Sequence, residues 1–151
     1  MKIIDLNSIG LSEQFREEAK IYNGLHLGRI SSQAKDLYRV ITEAGELTAE
    51  VSGKFRHQVR VPADYPVVGD FVMVDRADNC NGNGIIHHVL ARKSCFARKA
   101  AGSNELQVVA ANIDQVFICM ALNNDFNPRR LERYLSIAWD SGATPVVVLT
   151  K

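Results

Sequence analysis

The rhythm of apolar positions changes twice along the chain. Residues 11–22, LSEQFREEAKIY, set Leu11, Phe15, Ala19 and Tyr22 on one helical stripe. Ser12 stands where an N-cap belongs, and Asn23-Gly24 supplies a stop signal. The pattern predicts a short amphipathic helix, a packing arm rather than a partner-binding element. From Gly24 to about Arg98, short β-rich runs alternate with turn signals: LHLGRIS, DLYRVIT, a turn at EAGE, LTAEVS, DFVMV and IIHHVL. DNCNGNG (Asp78–Gly84) separates the last two, and its Asn/Gly content suits a hairpin loop. About five short strands in roughly 75 residues predict a small closed barrel or sandwich. A five-stranded Greek-key barrel of the OB type fits best by size, with an SH3-like barrel as the main rival.

The second change comes near Ala110. DQVFICMAL (Asp114–Leu122) is a near-continuous apolar strand, and NNDF is a loop. NPRRLERYLSIAWDSG then reads as a helix. Asn127 can cap it, and Pro128 takes the first helical position, where its missing N–H costs nothing. Leu131, Leu135 and Ala138 form one face, flanked by Tyr134 and Trp139, and Gly142 fits the stop. TPVVVLTK follows as a second buried strand. Strand, helix and strand make a βαβ unit with a parallel pair. Uninterrupted apolar strands imply burial on both faces, as in a doubly wound sheet. The predicted fold class is therefore β plus α/β: an OB-type barrel followed by the opening βαβ unit of a Rossmann-like domain. The expected divisions are a helical arm over 1–23, a barrel over 24–98 and the start of an α/β domain over 99–151. One helix and two parallel strands cannot bury their own apolar faces, so an incomplete domain is expected.

Composition narrows the class without deciding it. The chain is 46% hydrophobic and 23% charged, enough apolar content to fold without disulfides or structural metal. Cys80, Cys95 and Cys119 are odd in number and lack a CxxC spacing, which reads as reduced thiols in a cytoplasmic protein. MKIIDLNSIG lacks the apolar core of a signal peptide, and no stretch approaches the roughly 20 apolar residues of a membrane span. The net charge of +1 argues neither for nor against nucleic acid. Its distribution is more telling: residues 21–100 carry 11 Lys and Arg against 8 Asp and Glu, while both flanks are net negative.

Two acid-free segments concentrate that excess. SGKFRHQVR carries Lys54, Arg56 and Arg60 with His57, and ARKSCFARK carries Arg92, Lys93, Arg98 and Lys99. Cations spaced along strands and loops suit a phosphate backbone, and OB barrels bind nucleic acid across one sheet face. The plainer reading is a solvated surface, with Phe55 and Phe96 in the core rather than stacking on bases. His87 and His88 are adjacent in a strand and face opposite sides, so they do not share a metal. Asp70, in PVVGD, reads as a turn acceptor rather than a catalytic carboxylate.

Open α/β sheets bind ligands outside the carboxyl ends of their strands. Here those ends are ALNNDF and Thr150-Lys151. A buried strand ending in Asn/Thr-Lys, then any residue, then Asp, is the guanine-recognition motif of GTPases. AANIDQVFICMALNNDFNPRRLERYLSIAWDSGATPVVVLTK, preceded in order by PVVGDFVMV and HHVLARKSCFARK, resembles the circularly permuted GTPases of small-ribosomal-subunit biogenesis. The resemblance is to the bacterial small ribosomal subunit-dependent GTPase A family and covers roughly residues 24–151.

That resemblance implies an N-terminal OB barrel that binds rRNA. It implies a P-loop GTPase domain permuted so that the guanine motif precedes the phosphate loop, and a C-terminal zinc domain. It implies a cytoplasmic, monomeric GTPase acting in late maturation of the small (30S) subunit, stimulated by the ribosome and using GTP and Mg2+. Thr150 and Lys151 match the first two positions of the guanine motif. No catalytic residue, magnesium ligand or zinc ligand carries over. The one Gly-Lys pair, Gly53-Lys54, has Thr48 where a phosphate loop needs its first glycine, and Phe55 follows it. The chain alone is expected neither to bind GTP tightly nor to hydrolyse it. The alternatives are a stand-alone OB-fold RNA-binding module and an unrelated nucleotide-binding α/β protein with a β prefix.

Overall fold

The computed structural model describes residues 3–151, which divide into two compact units between Arg92 and Lys93. In the first unit a short helix, α1 (Glu13–Ala19), precedes strands β1 (His26–Ala34), β2 (Leu37–Thr42) and β3 (Gly45–Val51). A second short helix, α2 (Gly53–Gln58), links β3 to β4 (Phe71–Val74), and β5 (Gly84–Val89) follows. The strands close in the order β1-β2-β3-β5-β4. Every pairing is antiparallel except β3 with β5, which runs parallel. This is the OB-type barrel expected from the spacing of strands and turns.

Alternation explains what each strand buries. Tyr38 and Val40 of β2, Leu47 and Ala49 of β3 and Ile86 of β5 fill the barrel. β4 is buried on both faces because its neighbours differ on each side. Val72 and Val74 join the barrel core, while Phe71 and Met73 form a second core with Leu6, Leu11 and Phe15. The Phe15 and Phe71 rings sit 4.4 Å apart. The expected amphipathic arm thus covers the outer wall of β4. Ser12 occupies the N-cap position of α1, but its side chain makes no capping bond. Gly84 lets β5 sit close to β3: a Cβ there would lie 2.3 Å from Leu47 Cδ1, so the buried Leu47 side chain would have to shift.

The second unit contains a hairpin, β6 (Cys95–Lys99) with β7 (Leu106–Ala111), and a parallel pair, β8 (Gln115–Ala121) with β9 (Thr144–Thr150). α3 (Pro128–Asp140) connects the parallel strands. Asn127 caps it by accepting from Arg130 N at 3.1 Å, and Gly142 takes φ 83° after it, as the punctuation predicts. Ile118, Met120 and Ala138 are buried, whereas Phe117, Leu149 and Trp139 stay 67%, 52% and 64% exposed.

Three local expectations change. TPVVVLTK is not a strand buried on both faces: no residue of β9 is buried, and Val147 and Leu149 are exposed. SGKFRHQVR is not strand and loop: Ser52 caps α2, its Oγ accepting from Phe55 N at 3.0 Å. Residues 95–111 fold as the β6–β7 hairpin of the second unit, so the break falls ahead of the boundary drawn at residue 98.

Candidate functional site

α2 is held on the barrel by one residue. Phe55, half buried, packs on the barrel core and meets Tyr65 edge-on, with ring centroids 6.2 Å apart. This is the packing position expected of it. With Phe55 facing inward, Lys54, Arg56 and His57 are exposed, and Arg60 is exposed just beyond the helix. No ion pair engages these three cations among the described residues. His88 of β5 stacks on Tyr22, with centroids 4.1 Å apart. Burial above all, then the neighbouring His87 and Lys54, holds its imidazole below the usual histidine value.

The structure corrects the placement of Arg92. Its Nε and Nη2 donate to the two oxygens of Asp70, each at 2.8 Å. Its remaining donors reach the carbonyls of Ala63 and Tyr65 at 2.7 and 2.8 Å. The Asp70 side chain is fully buried and that of Arg92 is 16% exposed. Asp70 also accepts from Val67 N at 2.8 Å, the turn-acceptor role read from PVVGD. A bidentate guanidinium buried this way fastens residues 62–70 to the end of the barrel, and its donors are taken up inside the unit. Nothing in ARKSCFARK distinguishes such an arginine, because its partner lies 22 residues upstream.

The other cations of that segment belong to the second unit. Lys93 Nζ pairs with Asp114 at 3.1 Å in a solvated bridge, and Lys93 N donates to Asn112 Oδ1 at 2.8 Å. Arg98 and Lys99 are exposed on β6. The seven cations are divided between the two units. Three follow α2 and its exit, one is internal to the barrel unit, and three lie on the second unit.

Thr150 ends β9 beside Ala121, the last residue of β8, and its carbonyl accepts from Leu122 N at 2.7 Å. Exposed Lys151 and the 122–127 loop thus occupy the carboxyl end of the parallel pair, where α/β sheets bind ligands. The residues present do not fit the full set of groups the resemblance implies. Among the described residues, no cluster of His, Cys, Asp or Glu could hold a metal ion, and the sequence offers no phosphate loop.

A closed barrel with one parallel joint, followed by a βαβ unit ending in Thr-Lys, defines the class: an OB-type barrel joined to the opening of a P-loop GTPase-like domain. Residues 89–151 match the RsgA GTPase family. The chain is 47% identical to small ribosomal subunit biogenesis GTPase RsgA 2 of Lactiplantibacillus plantarum, over 98% of this chain and 42% of that protein. It is 46% identical to RsgA 1 of Listeria innocua, over 91% of this chain and 37% of that protein. Among solved structures, the circularly permuted GTPase YloQ superposes with a TM-score of 0.58 at 19% identity, over 85% of this chain and 42% of that one. YjeQ from Thermotoga maritima gives 0.57 at 24% identity, over 83% and 41%. The chain belongs to the RsgA GTPase family as a counterpart of its members' N-terminal portion, spanning about two fifths of the relatives' length.

Proposed function

We propose that this chain is the RNA-reading part of a GTPase that acts in late maturation of the small ribosomal subunit. The observation that carries the proposal is the α2 face, where Lys54, Arg56 and Arg60 stand exposed with no acid in the segment. The relatives are named for small-subunit biogenesis, which supplies the RNA class. The barrel unit would grip rRNA phosphates through these three side chains, with His57 beside them. Thr150 and Lys151 would open the guanine-recognition motif of the whole cytoplasmic enzyme, which would use GTP and Mg2+, with Zn2+ in a further domain. The 151-residue chain by itself would bind GTP only weakly and turn none over.

The test is titration of labelled small-subunit rRNA with the chain and with a Lys54→Glu/Arg56→Glu/Arg60→Glu triple variant. Binding should weaken steeply with salt, with a log–log slope of about −2 to −3 if three phosphates are neutralised. The triple variant should lose most of the affinity and flatten the slope. Unchanged binding in that variant discards the α2 face. Micromolar binding of a labelled GTP analogue, or measurable turnover by this chain, discards the claim of inactivity.

A further inference from the structure

The chain holds three Asn-Gly pairs, Asn23-Gly24, Asn81-Gly82 and Asn83-Gly84, and the fold treats each differently. The dipeptide carries a chemistry of its own. The glycine nitrogen can attack the carbonyl carbon of the asparagine side chain, since glycine has no Cβ to block the approach. The attack needs a free glycine N–H and a backbone able to turn. Asn83-Gly84 cannot turn, because Gly84 is buried at the start of β5, opposite Ala49 of β3. Asn81-Gly82 is tied on both sides of its peptide bond. Gly82 N donates to the Asn79 carbonyl at 3.1 Å, and the Asn81 carbonyl accepts from Arg76 Nη1 at 2.8 Å. Asn23-Gly24 is open. Both residues are exposed, and among the described residues neither the Asn23 side chain nor Gly24 N holds a hydrogen bond. A Cβ on Gly24 would meet nothing within 4 Å.

Its place in the fold gives that reaction a consequence. Tyr22 and Leu25 flank the pair, and both pack on the cluster that seats α1. Tyr22 stacks on His88 of β5, and Leu25 N closes a turn on the Tyr22 carbonyl at 3.4 Å. The pair is thus the joint between the arm and β1. We propose that Asn23 is a site of spontaneous deamidation, and that its product loosens the arm from the barrel. Gly24 N bonds to Asn23 Cγ, the Cγ–Nδ2 bond breaks, and the proton of Gly24 N leaves with the amide nitrogen as ammonia. Water then opens the cyclic imide at either carbonyl. Opening at Cγ gives aspartate; opening at the main-chain carbonyl gives isoaspartate, whose backbone runs through Cβ. The reaction consumes only water. Either product adds a carboxylate, and isoaspartate also adds a methylene to the main chain between Tyr22 and Leu25. With that extra atom the turn cannot seat both residues on the cluster.

The experiment ages the 151-residue chain in warm neutral buffer, native and in urea, and follows each Asn-Gly peptide by mass spectrometry. Each conversion adds about 1 Da, and an isoaspartyl-specific methyltransferase tells isoaspartate from aspartate. In urea the three pairs should convert at similar rates. In the native chain Asn23 should stay within about threefold of its unfolded rate, while Asn83 should slow at least about tenfold. Asn81 should fall between them. Asn23→Gln, whose longer side chain would have to close a larger ring, should keep the fold and stay unmodified at that position. Hydrogen exchange in α1 should quicken at least about threefold in the aged chain and not in aged Asn23→Gln. Native protection of Asn23 equal to that of Asn83 overturns the site. Unchanged exchange in α1 after Asn23 has converted overturns the loosening of the arm.

Discussion

In the barrel unit every strand has two partners; in the second unit every strand has one. The difference does not come from apolar content. FVMV of β4 and VFICM of β8 are alike in texture, yet β4 is buried at all four positions and β8 alternates. β4 has the barrel core on one face and the α1 cluster on the other. β8 buries Ile118 and Met120 on one face and leaves Phe117 exposed on the other. An apolar run records what a strand can bury; the covering elements decide what it does bury.

The largest test of this contrast is the Asp70–Arg92 pair. Arg92→Ala leaves a buried carboxylate unpaired and should cost the barrel unit about 3–5 kcal/mol by chemical denaturation. A loss below about 1 kcal/mol would mean that water replaces the guanidinium. Hydrogen exchange should show the loss in β1–β5 and not in β8 or β9, since it reports separately opening regions.

Matched aromatic deletions sharpen the comparison. Phe71→Ala, at a fully buried position, should cost about 3–5 kcal/mol. Phe117→Ala, at a position 67% exposed, should stay within about 0.5 kcal/mol. Equal costs would mean that Phe117 is covered in solution. The side-chain caps of α2 and α3 give a smaller, symmetric pair. Ser52→Ala and Asn127→Ala should each cost about 1 kcal/mol in their own unit.

The smallest expected effect is on pH. His88 is held below its unfolded value, so the unfolded chain takes the proton first. The stability tied to its neutral form is complete above about pH 6.5 and declines as pH falls through that value toward the folded one. The barrel transition should melt lower at about pH 5.5 than at about pH 7.5. A His88→Gln variant should show a shallower decline, and an identical decline would assign the effect to other groups.

Much of this architecture could be read from the residues. The barrel strands were legible because alternation and turn chemistry agree, as in β2, where Tyr38, Val40 and Thr42 face inward. α3 was legible through Asn127-Pro128 and Gly142. α2 was not, because Phe55 is its one apolar anchor and a single residue sets no period; the Ser52 cap was the available signal. The β6–β7 hairpin was hidden by its basic strand, which reads as a binding segment. The candidate site was legible only as a list of cations. Which of them reach solvent depends on partners distant in sequence, and Arg92 shows how completely that can reverse a reading.

The parallel joint between β3 and β5 also sets an order of events during synthesis. Ala49 pairs with Gly84 and Val51 with Ile86, contacts between residues 35 apart in sequence. The β1–β2–β3 meander can form as soon as it clears the ribosomal tunnel, because its contacts are local. The ring cannot close until β5 has emerged as well, and such distant pairing is the slow part of folding. A nascent chain stalled before Gly84 would therefore carry an open, sticky sheet.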